Sequence, residues 1–118
     1  MDARLAEVES RFADIIWNNE PLSSRTLSEL AEKELSWKKS TTYTVLKRLC
    51  QKGIFQNQDG MVTSLISKEV FFAMQTEQFV QQTFSGSLPA FLAAFGSRKK
   101  LSDREVEELQ QIIESMRR

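Results

Sequence analysis

The stretch WKKSTTYTVLKRLCQKG, residues 37–53, decides how the rest of this 118-residue chain is interpreted. It predicts a helix over about residues 39–52 that ends at Gly53, because glycine adopts the left-handed conformation common at helix ends without a steric penalty. Four of its residues recur at the spacing of a buried helical face: Thr42, Val45, Leu46 and Leu49. The opposite face carries Ser40, Tyr43, Thr44, Lys47 and Gln51, with Arg48 on its flank.

This helix is basic within a chain that is neutral overall. The stretch holds five of the sixteen Lys and Arg residues and no acid, whereas the whole chain has sixteen basic and sixteen acidic residues. Lys38 and Lys39 lie at the helix N-terminus, where the helix dipole disfavours a cation by about 0.3–1 kcal/mol. A phosphate bound to the free N–H groups there would remove this cost. A solvated face is the alternative, but such faces usually mix acids with bases, so the pattern indicates DNA binding.

The flanking segments predict a winged helix-turn-helix. A first helix over about residues 3–19 is indicated by apolar residues at helical spacing: Leu5, Val8, Phe12, Ile15 and Ile16. Glu20-Pro21 ends it, and Ser23 or Ser24 can cap a second helix. The residues of that second helix expected to face inward are Leu27, Leu30, Ala31 and Leu35. After Gly53, Asp59-Gly60 separates two short runs of β-formers, which predicts a hairpin.

Residues 68–118 predict further helices and a dimerisation region, which divides the chain into domains at 1–67 and 68–118. Ser102 and Glu105 predict a capping box, and Leu101 a hydrophobic staple to Val106. The last helix has an apolar seam suited to a partner helix, and six Phe precede it. The dimerisation candidates are Phe79, Phe84, Phe91, Leu92, Phe95, Val106, Leu109, Ile113 and Met116. The alternative is that these helices pack back on the N-terminal domain.

The composition disfavours an enzyme. The chain has no histidine, so the commonest general base is missing, and its single cysteine, Cys50, can form neither an intrachain disulfide nor a zinc site. No glycine-rich phosphate-binding loop is present, and we expect no cofactor or metal. No apolar run approaches the roughly 18 residues of a membrane span, and the charged N-terminus is unlike a signal peptide, so we expect a cytoplasmic protein.

Three segments together resemble the penicillinase-repressor (BlaI/MecI/CopY-type) family of transcription regulators. The segment WKKSTTYTVLKRLCQKGIF resembles the family's recognition helix and the strand that follows it. IIWNNEPLSSRTLSELAE is similar to its first two helices, and LSDREVEELQQII to its C-terminal dimerisation helix. The resemblance implies a mainly α protein with a small β-hairpin, an N-terminal winged helix and a C-terminal helical region. It also implies a homodimeric repressor that binds a palindromic operator with the third helix in the major groove.

The resemblance also implies roles for individual residues. The groove-facing candidates are Lys39, Ser40, Thr41, Tyr43, Thr44 and Lys47, and the phosphate-binding candidates are Lys38, Arg48 and Lys52. Trp37 is interpreted as a packing anchor. The tip of the wing, residues 57–60, has no Lys or Arg, and Asp59 would repel phosphate, so we expect the wing to contribute little affinity.

Regulation in this family also bears on the C-terminal region. Several members are released from DNA when a membrane-bound metalloprotease sensor cuts an Asn-Phe bond, and the equivalent bond here is Ala94-Phe95. We favour the alternative that Phe95 is a core aromatic residue of the dimer interface. The copper-responsive branch carries a C-terminal cysteine cluster that this chain lacks, so Cys50 is interpreted as a small core residue.

Two other functions remain open from the sequence. A winged helix can serve as a protein-interaction module without DNA, in which case replacing Tyr43 and Lys47 would leave partner binding intact. An enzyme is the third possibility, and it would require turnover that depends on a specific Asp or Glu.

Overall fold

The computed structural model describes residues 7–117, and within them the fold is mainly helical with one small sheet. The helices are α1 (Glu7–Asn19), α2 (Ser24–Leu35), α3 (Lys39–Gln51), α4 (Lys68–Phe84), α5 (Leu88–Arg98) and α6 (Asp103–Ser115). The strands are β1 (Leu22–Ser23), β2 (Phe55–Gln58) and β3 (Met61–Ser64). The predicted winged-helix order of three helices and a hairpin is confirmed. The predicted first helix began at residue 3, but residues 3–6 lie outside the described part of the chain.

The hairpin forms at the predicted position, and a third strand joins it. The antiparallel sheet has the order β1-β3-β2, with Gln58 opposite Met61 across the turn. Asp59 and Gly60 form this two-residue turn with positive φ angles of 52° and 85°, as the hairpin turns that match strand twist require. The two-residue strand β1, which pairs Leu22 with Val62, was not predicted because it is too short to show alternation.

One hydrophobic core holds α1, α2, α3, the sheet and the start of α4 together. Its largest fully buried side chains include Phe12, Phe55, Phe71, Ile16, Leu27, Leu49, Ile54 and Val62. Trp17 packs against this core and donates its indole N–H to the carbonyl of Ile66 at 3.1 Å. The inward face predicted for α3 is confirmed, because Thr42, Val45, Leu46 and Leu49 are all buried.

Local sequence signals fix the helix ends. Ser23, rather than Ser24, is the N-cap of α2, and its hydroxyl accepts the N–H of Thr26 at 3.0 Å. The predicted capping box of α6 is present, with Ser102 and Glu105 each accepting the other's backbone N–H. Such caps satisfy N–H groups that have no partner within the helix.

The chain forms two compact units, Met1–Thr76 and Glu77–Arg118, so the division falls within α4. The proposed functional boundary between residues 67 and 68 stays a prediction. In the second unit, neighbouring Phe rings lie edge-on or tilted, with centroid distances of 5.7 Å for Phe84–Phe91 and 6.3 Å for Phe91–Phe95. Among its described residues, 77–117, only Val80 is a buried hydrophobic side chain.

Candidate nucleic-acid interface

The N-terminus of α3 has backbone N–H groups that no side chain of the N-cap residue satisfies. Lys38 has the extended backbone of an N-cap, with φ −71° and ψ 155°, but makes no side-chain capping bond. The backbone N–H of Thr42 donates to the carbonyl of Lys38 at 3.1 Å, which is the first bond of the helical ladder. The N–H groups of the preceding turn therefore have no helical partner, and Lys38 and Lys39 are exposed beside them. Donors and cations at one helix end suit an anion.

The outer face of α3 presents the predicted polar side chains to solvent. Ser40, Thr41, Thr44 and Lys47 are exposed, whereas Tyr43 is half-buried. The Thr44 hydroxyl donates to the carbonyl of Ser40 at 2.9 Å. This hydrogen bond fixes the orientation of the Thr44 side chain. The hydroxyl oxygen of Thr44 can still accept a further hydrogen bond. The structure thus brings the six groove-facing candidates onto one continuous helical surface.

Tyr43 is linked to two other elements. Its hydroxyl donates to Oγ of Ser24, the first residue of α2, at 3.4 Å. The N–H of Ser24 in turn donates to the carbonyl of Gly60, in the turn of the wing, at 2.7 Å. The ammonium group of Lys39 lies 5.9 Å from the centre of the Tyr43 ring, within cation–π range. Ser24 and Gly60 were not among the predicted site residues, and no local pattern signals their contact with α3.

Arg48 forms an ion pair that the sequence did not predict. Its guanidinium lies 3.3 Å from the carboxylate of Glu9 on α1. The Glu9 side chain is 15% exposed and that of Arg48 is 50% exposed, so the pair lies at the surface and is worth at most about 1 kcal/mol. Phosphate binding by Arg48 would require it to leave Glu9. The phosphate-binding role of Arg48, like that of the half-buried Lys52, therefore stays a prediction.

Trp37 and Cys50 both pack against the hydrophobic core, which accounts for their presence in this region. The Trp37 ring is 5.0 Å from that of Phe12 and packs against the core, as expected of an anchor. Cys50 is partly buried against the same core, and burial raises the pKa of its thiol, while a hydrogen bond with the backbone of Asn57 lowers it. A cleft of about 390 Å³ between α3 and β2 is lined by Tyr43, Leu46, Lys47, Cys50 and Asn57. A thiol with a raised pKa carries little thiolate at neutral pH, which suits a packing role.

The predicted dimerisation residues of the second unit are poorly covered within one chain. Six are exposed: Phe79, Leu92, Phe95, Val106, Ile113 and Met116. Phe84, Phe91 and Leu109 are half-buried, while Leu88 and Ile112, which were not among the predictions, are also about half exposed. An apolar cleft of about 280 Å³ is lined by Phe91, Leu92, Phe95, Leu101 and Leu109. The Ala94-Phe95 bond lies inside α5.

The chain matches known proteins along almost its full length. The profile of the penicillinase repressor family matches residues 5–115. The penicillinase repressor of Bacillus licheniformis is 24% identical over 115 residues, which cover 94% of this chain and 90% of the relative. The methicillin resistance regulatory protein MecI of Staphylococcus aureus is 26% identical over 120 residues, covering 96% and 98%. MecI of Mammaliicoccus sciuri is 25% identical with the same coverage.

These matches agree with the geometry of α3 and with its acid-free outer face. Within residues 7–117, none of the helices is both long and apolar enough to span a lipid bilayer. The chain belongs to the penicillinase repressor family of DNA-binding transcriptional repressors, which are not enzymes.

Proposed function

We propose that this protein represses transcription as a homodimer that binds a palindromic operator, with α3 of each protomer in the major groove. The observation that carries the proposal is the exposed, acid-free face of α3, together with a helix N-terminus that no side chain caps. Residues that weaken a helix end in isolation are favourable once a phosphate lies there. As a DNA-bound repressor it would act in the cytoplasm.

The side chains of α3 divide into two groups in this proposal. Lys38 and Lys52, with Arg48 after it leaves Glu9, neutralise backbone phosphates and supply affinity without sequence selectivity. Lys39, Ser40, Thr41, Tyr43, Thr44 and Lys47 face the base edges and supply selectivity. Asn57 and Gln58 in the wing carry no positive charge, and Asp59 repels phosphate, so the wing contributes little affinity.

Dimerisation through the second unit is supported by its uncovered apolar side chains. On α6, Val106, Ile113 and Met116 are 39%, 50% and 66% exposed and share one face with Leu109. Covering such a face against a second copy removes apolar surface from water at about 25 cal/mol per Å². A two-fold dimer places two α3 helices about one helical turn of DNA apart, which explains why the operator would be palindromic.

Two roles are proposed for the Ala94-Phe95 segment. Phe95 is 46% exposed beside Phe91 and Leu92, which supports a role in the dimer contact. The second role is a cleavage site, at which a membrane-bound metalloprotease sensor would cut the chain and release it from DNA. Because this bond lies within α5, a protease would have to unfold part of that helix first. The proposal therefore gives the dimer contact precedence.

The test is fluorescence anisotropy of the full chain on two labelled duplexes. One is selected by this protein from a random-sequence pool, and the other is its scrambled version. Tyr43→Ala and Lys47→Ala should abolish the preference for the selected duplex, whereas Lys100→Ala, which removes an exposed lysine far along the chain, should preserve it. With three phosphate-binding cations per protomer, log K should fall against log salt with a slope of about −5.

Equal and weak binding to both duplexes would contradict the proposal. The protein would then bind a protein partner through a surface other than this face, as in the interaction-module alternative. In that case Tyr43→Ala and Lys47→Ala would be expected to leave partner binding intact.

A further inference from the structure

The Tyr43 phenol is held at two points, unlike its neighbours on α3. Its hydroxyl donates to Ser24 Oγ at 3.4 Å, and the Lys39 ammonium group approaches its ring. The side chain is half-buried, whereas Ser40 and Thr44 beside it are exposed. The orientation of this phenol is therefore determined by residues outside its own helical turn.

Ser24 is itself fixed by the wing. Its backbone N–H donates to the carbonyl of Gly60 at 2.7 Å. Gly60 has a φ of +85°, and a Cβ at that position would lie 3.9 Å from Ser24 Oγ. The turn of the wing thus positions the start of α2, and the Ser24 hydroxyl at that start positions Tyr43. Three elements distant in sequence meet at one hydrogen-bond chain.

We propose that Ser24 is a positioning residue that determines which bases Tyr43 accepts in the operator. This inference rests on the proposed major-groove role of α3. The contact with Ser24 fixes the position of the phenol oxygen, so this hydroxyl can hydrogen-bond only to the base edge within its reach. Base pairs differ in where their donors and acceptors lie in the major groove. Tyr43 therefore favours one base pair at the operator position that it contacts.

Removal of the Ser24 hydroxyl frees the phenol to rotate. The Tyr43 hydroxyl can then reach the donors and acceptors of other base pairs at the same position. The expected consequence is a relaxed base preference at one operator position, with little change in binding elsewhere. A typical hydrogen bond corresponds to a loss of about 3- to 10-fold in that preference.

The experiment uses the full chain and a set of duplexes in which each position of the selected operator is changed to every other base pair. Affinities are measured by anisotropy for the wild type, Ser24→Ala, Ser24→Thr, Tyr43→Phe and the Ser24→Ala/Tyr43→Phe double variant. Ser24→Ala and Tyr43→Phe should lose the preference at the same position, and the double variant should lose no more than either one. Ser24→Thr, which keeps a hydroxyl, should retain the preference, and thermal unfolding midpoints should stay close to that of the wild type.

Two results would overturn the inference. One is an unchanged preference in Ser24→Ala at the position that Tyr43→Phe affects. The other is an equal loss of affinity on every duplex, which would indicate a purely structural role for Ser24. If Tyr43→Ala and Lys47→Ala abolish selectivity while Ser24→Ala does not alter it, only this inference fails. If the wild type shows no selectivity, the proposed function fails first.

Discussion

Replacement of Lys38 should strengthen the fold and weaken DNA binding at the same time. Lys38 already has the backbone of an N-cap residue, but its side chain provides no capping bond. A serine there can accept an N–H from the first turn of α3 without any change in backbone. Capping by Ser is worth about 0.5–2 kcal/mol relative to a residue that cannot cap. Removal of the cation from the positive end of the helix dipole adds about 0.3–1 kcal/mol.

We therefore expect Lys38→Ser to raise the free energy of unfolding by about 1–2 kcal/mol, since contributions to one helix end overlap. The measurement is urea unfolding followed by circular dichroism, at one protein concentration for all variants because the proposed dimerisation would contribute to apparent stability. In the same protein, operator affinity should fall, and the slope of log K against log salt should lose about 1 unit for each phosphate contact removed.

Lys38→Gln is the matched control, because it removes the charge but provides a poor cap. It should lose DNA affinity about as much as Lys38→Ser while gaining clearly less stability. Unchanged DNA binding in both variants would refute the phosphate-binding role of Lys38. A Lys38→Ser variant no more stable than the wild type would refute the argument from the uncapped helix end.

Three further predictions concern the core, the dimer and the ion pair. Phe71→Ala should cost about 3–5 kcal/mol in urea unfolding, because the ring is fully buried in the core and lies 5.6 Å from that of Trp17 on α1. A loss below about 1 kcal/mol would contradict its place in the core. Ile113→Glu should shift the proposed dimer toward monomer in analytical ultracentrifugation. The control Gln111→Glu, on the opposite side of α6, should leave the dimer intact. If both variants dissociate, or neither does, the apolar seam of α6 is not the dimer contact. Glu9→Gln should cost less than about 1 kcal/mol of stability, and it should increase DNA affinity because it releases Arg48 from the ion pair. Weaker DNA binding in this variant would indicate that Arg48 has a purely structural role.

The residues that would bind DNA at the end of α3 are unfavourable for the stability of the free protein. A binding surface for DNA must hold cations and unpaired donors close together, and both destabilise the free protein. The fully buried inner face of the same helix offsets that cost, because Val45, Leu46 and Leu49 pack into the core. One helix thus carries buried core residues on one side and the proposed DNA-binding residues on the other.

The elements that follow local rules could be predicted from the sequence. The inner face of α3, the Asp59-Gly60 turn and the Ser102–Glu105 capping box depend on residues within a few positions of one another. Helical periodicity, positive φ at a hairpin turn and reciprocal capping all act over that range. The outer face of α3 could be predicted for the same reason, because the spacing of residues along a helix determines which of them share a face.

Contacts between groups that are distant in the sequence could not be predicted, because they depend on how the chain packs. The pairing of β1 with β3, the Arg48–Glu9 ion pair and the chain from Gly60 through Ser24 to Tyr43 each join separate elements. Phe71 belongs to the winged-helix core although it begins the aromatic-rich region of the sequence. Such contacts depend on how the core closes around α1, α2 and α3, because packing, and not local spacing, brings their side chains together. The face proposed to bind DNA could therefore be predicted from the sequence, but the position of its tyrosine depended on the fold.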